Sequence, residues 1–149
     1  MPLKKEYPAL LEAGFHDMTL EDVSALCVTP FTNNRRGHLF QNLITLLNRL
    51  SSLGLKASAW IDGSFVTEKP EPDDIDLVLI LNSENLEALD SIIAEQILSE
   101  LKGAKVRYKC DTYWTTDSQD NIEGRAYWRG LFGFFRDEST PKGIVRVEL

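Results

Sequence analysis

Apolar positions along this chain follow two periods, and the switches between them mark the elements. Leu39, Phe40, Leu43, Leu46, Leu47, Leu50 and Leu53 recur at steps of three and four, which predicts a core helix over about 34–53 with Gly54 as its stop. An apolar run through Trp60 and Ile61 then ends at Gly63-Ser64. A polar, proline-punctuated loop follows, and a second apolar run fills 75–81. Asn82 or Ser83 can cap a further helix running to about Lys102, striped by Leu86, Leu89, Ile92, Ile93, Ile97 and Leu101 and ended by Gly103. Lys105 to Asp111 alternates, with Arg107, Lys109 and Asp111 on one face and Val106, Tyr108 and Cys110 on the other, which predicts the next strand, extended by Thr112 to Thr116. Strand, helix, strand in that order reads as a crossover unit.

The two ends of the chain are less marked. Thr19 can cap a short helix with Asp22 at its third position, and Pro30 stops it. Packing on the domain and serving a partner both fit this first segment. Asp117 to Asn121 is a polar turn cluster. Beyond it, Trp128, Leu131, Phe132 and Phe135 are helically spaced, so these aromatics read as core, with a base-stacking platform the lesser reading. Gly143 to Leu149 alternates as an edge strand would. The whole predicts an α/β (α+β) fold, a small mixed β-sheet with helices mainly on one face, in a single domain over 1–149, with an N-terminal segment 1–33 and a core 34–149.

Composition sets the bounds. With 149 residues and 43% hydrophobic content the chain suits one core and is short for two domains. There is no run of about 18 apolar residues to span a bilayer. The start, M-P-L-K-K-E-Y-P, lacks the apolar stretch of a signal peptide, so a cytoplasmic protein away from membranes is expected. The net charge of -7 argues against broad non-specific binding of nucleic acid and leaves room for a local basic groove. Cys27 and Cys110 have no redox or metal-ligand spacing and read as buried, reduced thiols. His16 and His38 read as packing or surface residues.

The chemistry gathers between the two central strands. Asp74 and Asp76 are two apart, so on an extended strand they share a face while Ile75, Leu77 and Leu79 take the other. Two carboxylates side by side repel and call for a cation. Hard oxygen donors suit Mg²⁺, which takes one or two carboxylates plus substrate phosphates. A Gly63-Ser64 turn at a strand end allows close backbone approach, and its N–H groups with the Ser64 hydroxyl can cradle phosphate. Lys69, in the loop between, is a possible further charge, although a plain loop lysine is the ordinary reading. Two arginine pairs also draw notice. Arg35 and Arg36 open the first long helix against its dipole, where reaching a phosphate and facing solvent are both open. Arg125 and Arg129 are four apart and could project together as a phosphate or RNA clamp.

Gly63-Ser64, the loop and then Asp74-Ile75-Asp76-Leu77 resemble the signature of the nucleotidyltransferase superfamily, the fold shared with the DNA polymerase beta palm. The resemblance covers Trp60 to about Trp114. It implies a third carboxylate on the next strand, for which Asp111 is the candidate. By that resemblance Asp74, Asp76 and Asp111 would hold Mg²⁺, and Gly63 and Ser64 the outer phosphates, with Lys69 as an additional charge. A nucleoside monophosphate would pass from ATP or another triphosphate to an RNA, protein or small-molecule acceptor. The run F-F-R-D-E-S-T-P-K-G together with W-I-D-G-S-F-V-T-E-K is further similar to short, stand-alone bacterial nucleotidyltransferase-like proteins without an assigned activity. The alternative is a binding module that keeps the site without turnover, of the kind found in toxin-antitoxin or phage-defence pairs. Larger members of the superfamily carry a second domain for the acceptor, and none is expected within these 149 residues.

Overall fold

A computed structural model describes residues 6–149. Its strands are β1 (Gly14–Asp17), β2 (Ala57–Asp62), β3 (Ile75–Leu81), β4 (Cys110–Thr116) and β5 (Gly143–Glu148). The helices are α1 (Leu20–Cys27), α2 (Arg35–Ser52), α3 (Ser83–Ala88), α4 (Ser91–Tyr108) and α5 (Ile122–Phe132). The strands form one mixed sheet in the order β1-β5-β2-β3-β4. β2 runs antiparallel to β3 and to β5, while β3 and β4, joined through α4, are parallel, as a crossover requires.

The expected mixed α+β class, with helices mainly on one face, holds. Alternation along the strands sends Ala59, Ile61, Ile75, Leu77, Leu79, Val145 and Val147 into a large core. Against them pack Val23 and Cys27 of α1, the leucine stripe of α2, and Ile97, Leu101 and Ala104 of α4. The α2 stripe is thus interior packing, with Asn34 and Leu53 as the caps and Gly54 at φ 90 where the chain turns off. The opposite face carries a smaller cluster of Trp60, Val78, Ile80 and Ile144, covered by Phe132 of α5. At Thr19 a full capping box forms with Asp22, as the sequence indicates. Among the described residues, no helix is long and apolar enough to cross a membrane.

Three expectations are corrected. The Gly143–Glu148 strand is interior, because the N-terminal segment supplies β1 as a parallel neighbour on its outer side. The single helix expected from Asn82 or Ser83 is two: the Asp90 side chain accepts from the Ile92 N–H at 2.8 Å and starts α4 afresh, which leaves Ile92 65% exposed. Nor does Gly103 end α4. A helix interior tolerates one glycine at a cost of about 1 kcal/mol, and here the 97, 101, 104, 108 spacing keeps packing on the core. Residues Lys105 to Tyr108 are therefore helical, with Val106 91% exposed, and Lys109 in the left-handed conformation ends the helix.

Candidate functional site

The sheet topology brings three carboxylates together. Asp76 lies opposite Asp111 in the parallel β3–β4 register, and Asp74 stands just ahead of β3. One carboxylate oxygen from each of Asp74, Asp76 and Asp111 falls within 4.8 Å of the others. The left-handed turn at Lys109 makes this possible, since its carbonyl accepts from the Ile75 N–H at 3.0 Å and starts β4 beside β3. Asp111 thus arrives where a strand from Lys105 would have put it, by a different route. Tyr113 donates its hydroxyl to Asp111 at 3.5 Å, and the Lys105 ammonium lies 4.0 Å from the same carboxylate.

Burial, and then the neighbouring charges of Asp74 and Asp111, push the Asp76 carboxyl up to about 6. Such crowding favours a shared cation. The donor set is oxygen only, which suits a hard divalent ion. Bonds of about 2.1 Å to Mg²⁺ span roughly 4.2 Å across the ion. The ligand oxygens of the three carboxylates, within 4.8 Å of one another, are spaced close to that span.

Gly63 and Ser64 begin a short 3-10 turn, Gly63–Val66, beside the acids. Gly63 has φ +80, and a Cβ there would collide with Asp76 Oδ2 and stand 2.8 Å from its Cγ. The glycine lets Asp76 lie directly against the backbone. Gly63→Ala combines a left-handed penalty of about 1–2 kcal/mol with that collision, so we expect a clear drop in melting temperature and displacement of Asp76. A melting curve within 1 °C of wild type would contradict this placement.

Both arginines at the start of α2 depart from the solvated or phosphate-binding reading. Arg36 is fully buried, and its guanidinium donates to the carbonyls of Cys27 at 2.9 Å, Phe65 at 2.6 Å, Thr67 at 2.6 Å and Lys69 at 2.6 Å. Arg35 donates to the Pro72 carbonyl at 2.9 Å and that of Asp73 at 3.0 Å. Together they fasten the β2–β3 loop that presents Ser64 and Asp74.

The Arg125 and Arg129 clamp does not form. Arg125 donates to the Thr116 and Ser118 carbonyls at 3.1 and 2.7 Å, tying α5 to the end of β4. Neither arginine lines the cavity over the acids. Of the α5 aromatics, Trp128 and Phe132 pack edge to face with centroids 6.1 Å apart, whereas Leu131 is 51% exposed and Phe135 lies past the end of the helix. Cys27 and Cys110 are free and buried, as expected, and burial pushes both thiols up to about 12. His16 sits on β1 bonded to the Glu12 carbonyl at 2.7 Å, and His38 is exposed on α2.

Two residues not singled out in the sequence complete the site. Asp62 ends β2 directly opposite Asp76, is 1% exposed, and has no hydrogen-bond partner for either carboxylate oxygen. Burial pushes its carboxyl up to about 8 against the pull of Lys142, whose ammonium lies 3.7 Å away. Asp62, Gly63, Ser64, Lys69 and Lys142 line a cavity of about 950 Å³ with the three acids, and the end of α5 forms part of its wall. The W-I-D-G run does carry Asp62 in alternation with Trp60, on the face of Asp76, which is the signal that could have found it.

No curated protein and no solved structure matches this chain. A family model described as a family of unknown function matches residues 3–148. Since that match runs over nearly all of the sequence, the chain belongs to this family, DUF6932.

Proposed function

We propose that the protein is a Mg²⁺-dependent nucleotidyltransferase, moving a nucleoside monophosphate from a triphosphate to an RNA, protein or small-molecule acceptor. One observation carries this reading. Three carboxylates, one on β3, one just ahead of it and one on β4, converge in a cavity that the Gly-Ser turn also lines. That pairs a hard-cation site with a place for phosphate oxygens. Asp74, Asp76 and Asp111 would hold the metal, which when bound supplies neutralising charge to the phosphates.

The chain's own residues then have distinct tasks. Gly63 and Ser64 would hold the outer phosphates and so fix the α-phosphorus. Asp111, half-buried and reached by the Tyr113 hydroxyl, would orient the acceptor hydroxyl and take its proton. The acceptor oxygen bonds to the α-phosphorus in line as the bond to the β-phosphate oxygen breaks, and pyrophosphate leaves with that electron pair. The fastened β2–β3 loop and α5 both contribute walls to the cavity in which this would happen.

Incubating the purified protein with α-labelled triphosphates and a cell lysate tests the reading. A labelled acceptor and released pyrophosphate are expected with Mg²⁺, and neither with EDTA or in Asp76→Ala. Binding of a triphosphate without any transfer would leave the non-catalytic module. Failure of all four triphosphates to bind in the presence of Mg²⁺ would overturn both.

A further inference from the structure

Lys142 precedes β5 at the end of a tied loop. Its N–H donates to the Gly133 carbonyl at 2.8 Å, the Phe135 N–H donates to the Thr140 carbonyl at 2.9 Å, and Phe134 bridges Pro141. The backbone is therefore fixed on the rim of the cavity. From there the side chain runs inward until only 14% of it is exposed, with Nζ 3.7 Å from Asp62 Oδ2 and 5.1 Å from the centre of the Phe135 ring.

Fold stability does not account for this arrangement. Burying a lysine costs up to about 2 kcal/mol in side-chain entropy, and a buried ion pair is often no better than apolar residues of the same size. The contact is also slack. At 3.7 Å it exceeds the roughly 2.8 Å of a charge-assisted hydrogen bond, and the Asp62 oxygens make no hydrogen bond. An ammonium has three donors. Here it is held at one place by the buried Asp62 carboxyl group and an aromatic face, with a cavity in front of it.

The other cations on this cavity are placed differently. Lys105 and Arg136 have side chains 67% exposed, in pairs of 4.0 Å with Asp111 and Glu6. Lys69 is fixed through its backbone, by Arg36 at 2.6 Å and by the Thr67 hydroxyl at 3.2 Å, rather than through its side chain. A group that stabilises developing charge must stand in place before the charge appears. Lys142 meets that condition.

We propose that Lys142 supplies the side-chain charge that receives the outer phosphates of the bound triphosphate beside the Gly63-Ser64 turn, with Asp62 as its positioning residue; this rests on the nucleotidyltransferase reading of the same cavity. The further charge that the resemblance would place at Lys69 falls instead to Lys142, and Lys69 keeps its ordinary reading as a loop lysine. Asp62, opposite Asp76 on β2, is then a holder of the lysine and stands outside the metal set.

Titration calorimetry with Mg²⁺ and the triphosphate that wild type binds best, followed by its diphosphate, monophosphate and nucleoside, tests this. Lys142→Met is expected to weaken the triphosphate by roughly 10- to 100-fold, the range for a lost hydrogen bond to a charged group. The loss should shrink with each phosphate removed and vanish for the nucleoside. Lys142→Arg should retain part of the affinity, and Asp62→Asn should weaken the triphosphate less than Lys142→Met does. A merely structural lysine would weaken all four ligands alike. Should Lys142→Met fail to fold with Asp62 left unpaired, the double variant Lys142→Met/Asp62→Asn removes the ammonium and the acid together and carries the same expectation. Unchanged triphosphate affinity in a folded variant overturns the role of Lys142 and leaves the wider reading standing. No triphosphate binding by wild type overturns both.

Discussion

Asp76→Asn is expected to melt at a higher temperature than wild type at pH 7.5 and to have no Mg²⁺-dependent transfer. Burial and the charges of Asp74 and Asp111 raise the Asp76 carboxyl from 3.8 to about 6 in the folded protein. The folded state therefore holds this proton more tightly than the unfolded chain does. The stability this group contributes is full below about pH 4 and is lost as pH rises through about 6. Such a rise corresponds to roughly 3 kcal/mol. The amide carries no charge to crowd its neighbours, so above pH 6 it escapes that loss. In a domain of this size the gain is about 5–10 °C in melting temperature. The gap should close on acidification towards pH 4. Millimolar Mg²⁺ should close it from the other side, by stabilising wild type and leaving Asp76→Asn unmoved. Thermal melts at pH 4.5 and 7.5, with and without Mg²⁺, read all four corners. A variant less stable than wild type at pH 7.5 would mean that the carboxylate serves the fold and is not held there at its expense.

The same residues show why the acids were legible in the sequence and their surroundings were not. Asp74 and Asp76 sit at the start of an apolar run, and Ile75, Leu77 and Leu79, all buried, fix which way the strand faces. Strand period two then places the acids without further knowledge. Asp111 was placed correctly from an incorrect element. Val106, Tyr108 and Cys110 alternate as a strand would, yet Ala104 and Tyr108 also satisfy a helical stripe, and over so few residues periodicity cannot separate the two. Packing decided for the helix, and the left-handed Lys109 restored the strand just in time for Asp111. Asp62 and Lys142 carry no local mark of their role because their burial depends on a pairing between β2 and β5, elements far apart in sequence. Local pattern holds no record of such a pairing. The same holds for β5 itself, an interior strand only because β1 adds beyond it.

Arg36 is the plainest case of a residue whose role is invisible locally, and its removal should have the largest effect on the fold. At a helix start it reads as a solvated charge, poorly placed for the dipole. In the structure it has no exposed surface, and its guanidinium lies 3.7 Å from the centre of the Phe31 ring while it donates to carbonyls of α1 and of the β2–β3 loop. The positive charge is balanced by carbonyl dipoles and aromatic faces, and burial lowers its pKa from the ordinary value. Arg36→Met keeps the packing volume and removes every donor. Each buried carbonyl left without a partner costs about 1–3 kcal/mol, so a loss of roughly 3–6 kcal/mol is expected in urea unfolding. Lysine should recover little, since one point charge cannot replace a planar fork that serves several acceptors at once. Hydrogen exchange carries the argument to the site: in Arg36→Lys the amides of 64–69 should exchange faster than those of β3, because the loop loses its fastening while the sheet keeps its own. Equal protection in both variant and wild type would show that the loop holds its shape unaided, and that Ser64 and Asp74 owe their positions to the strands alone.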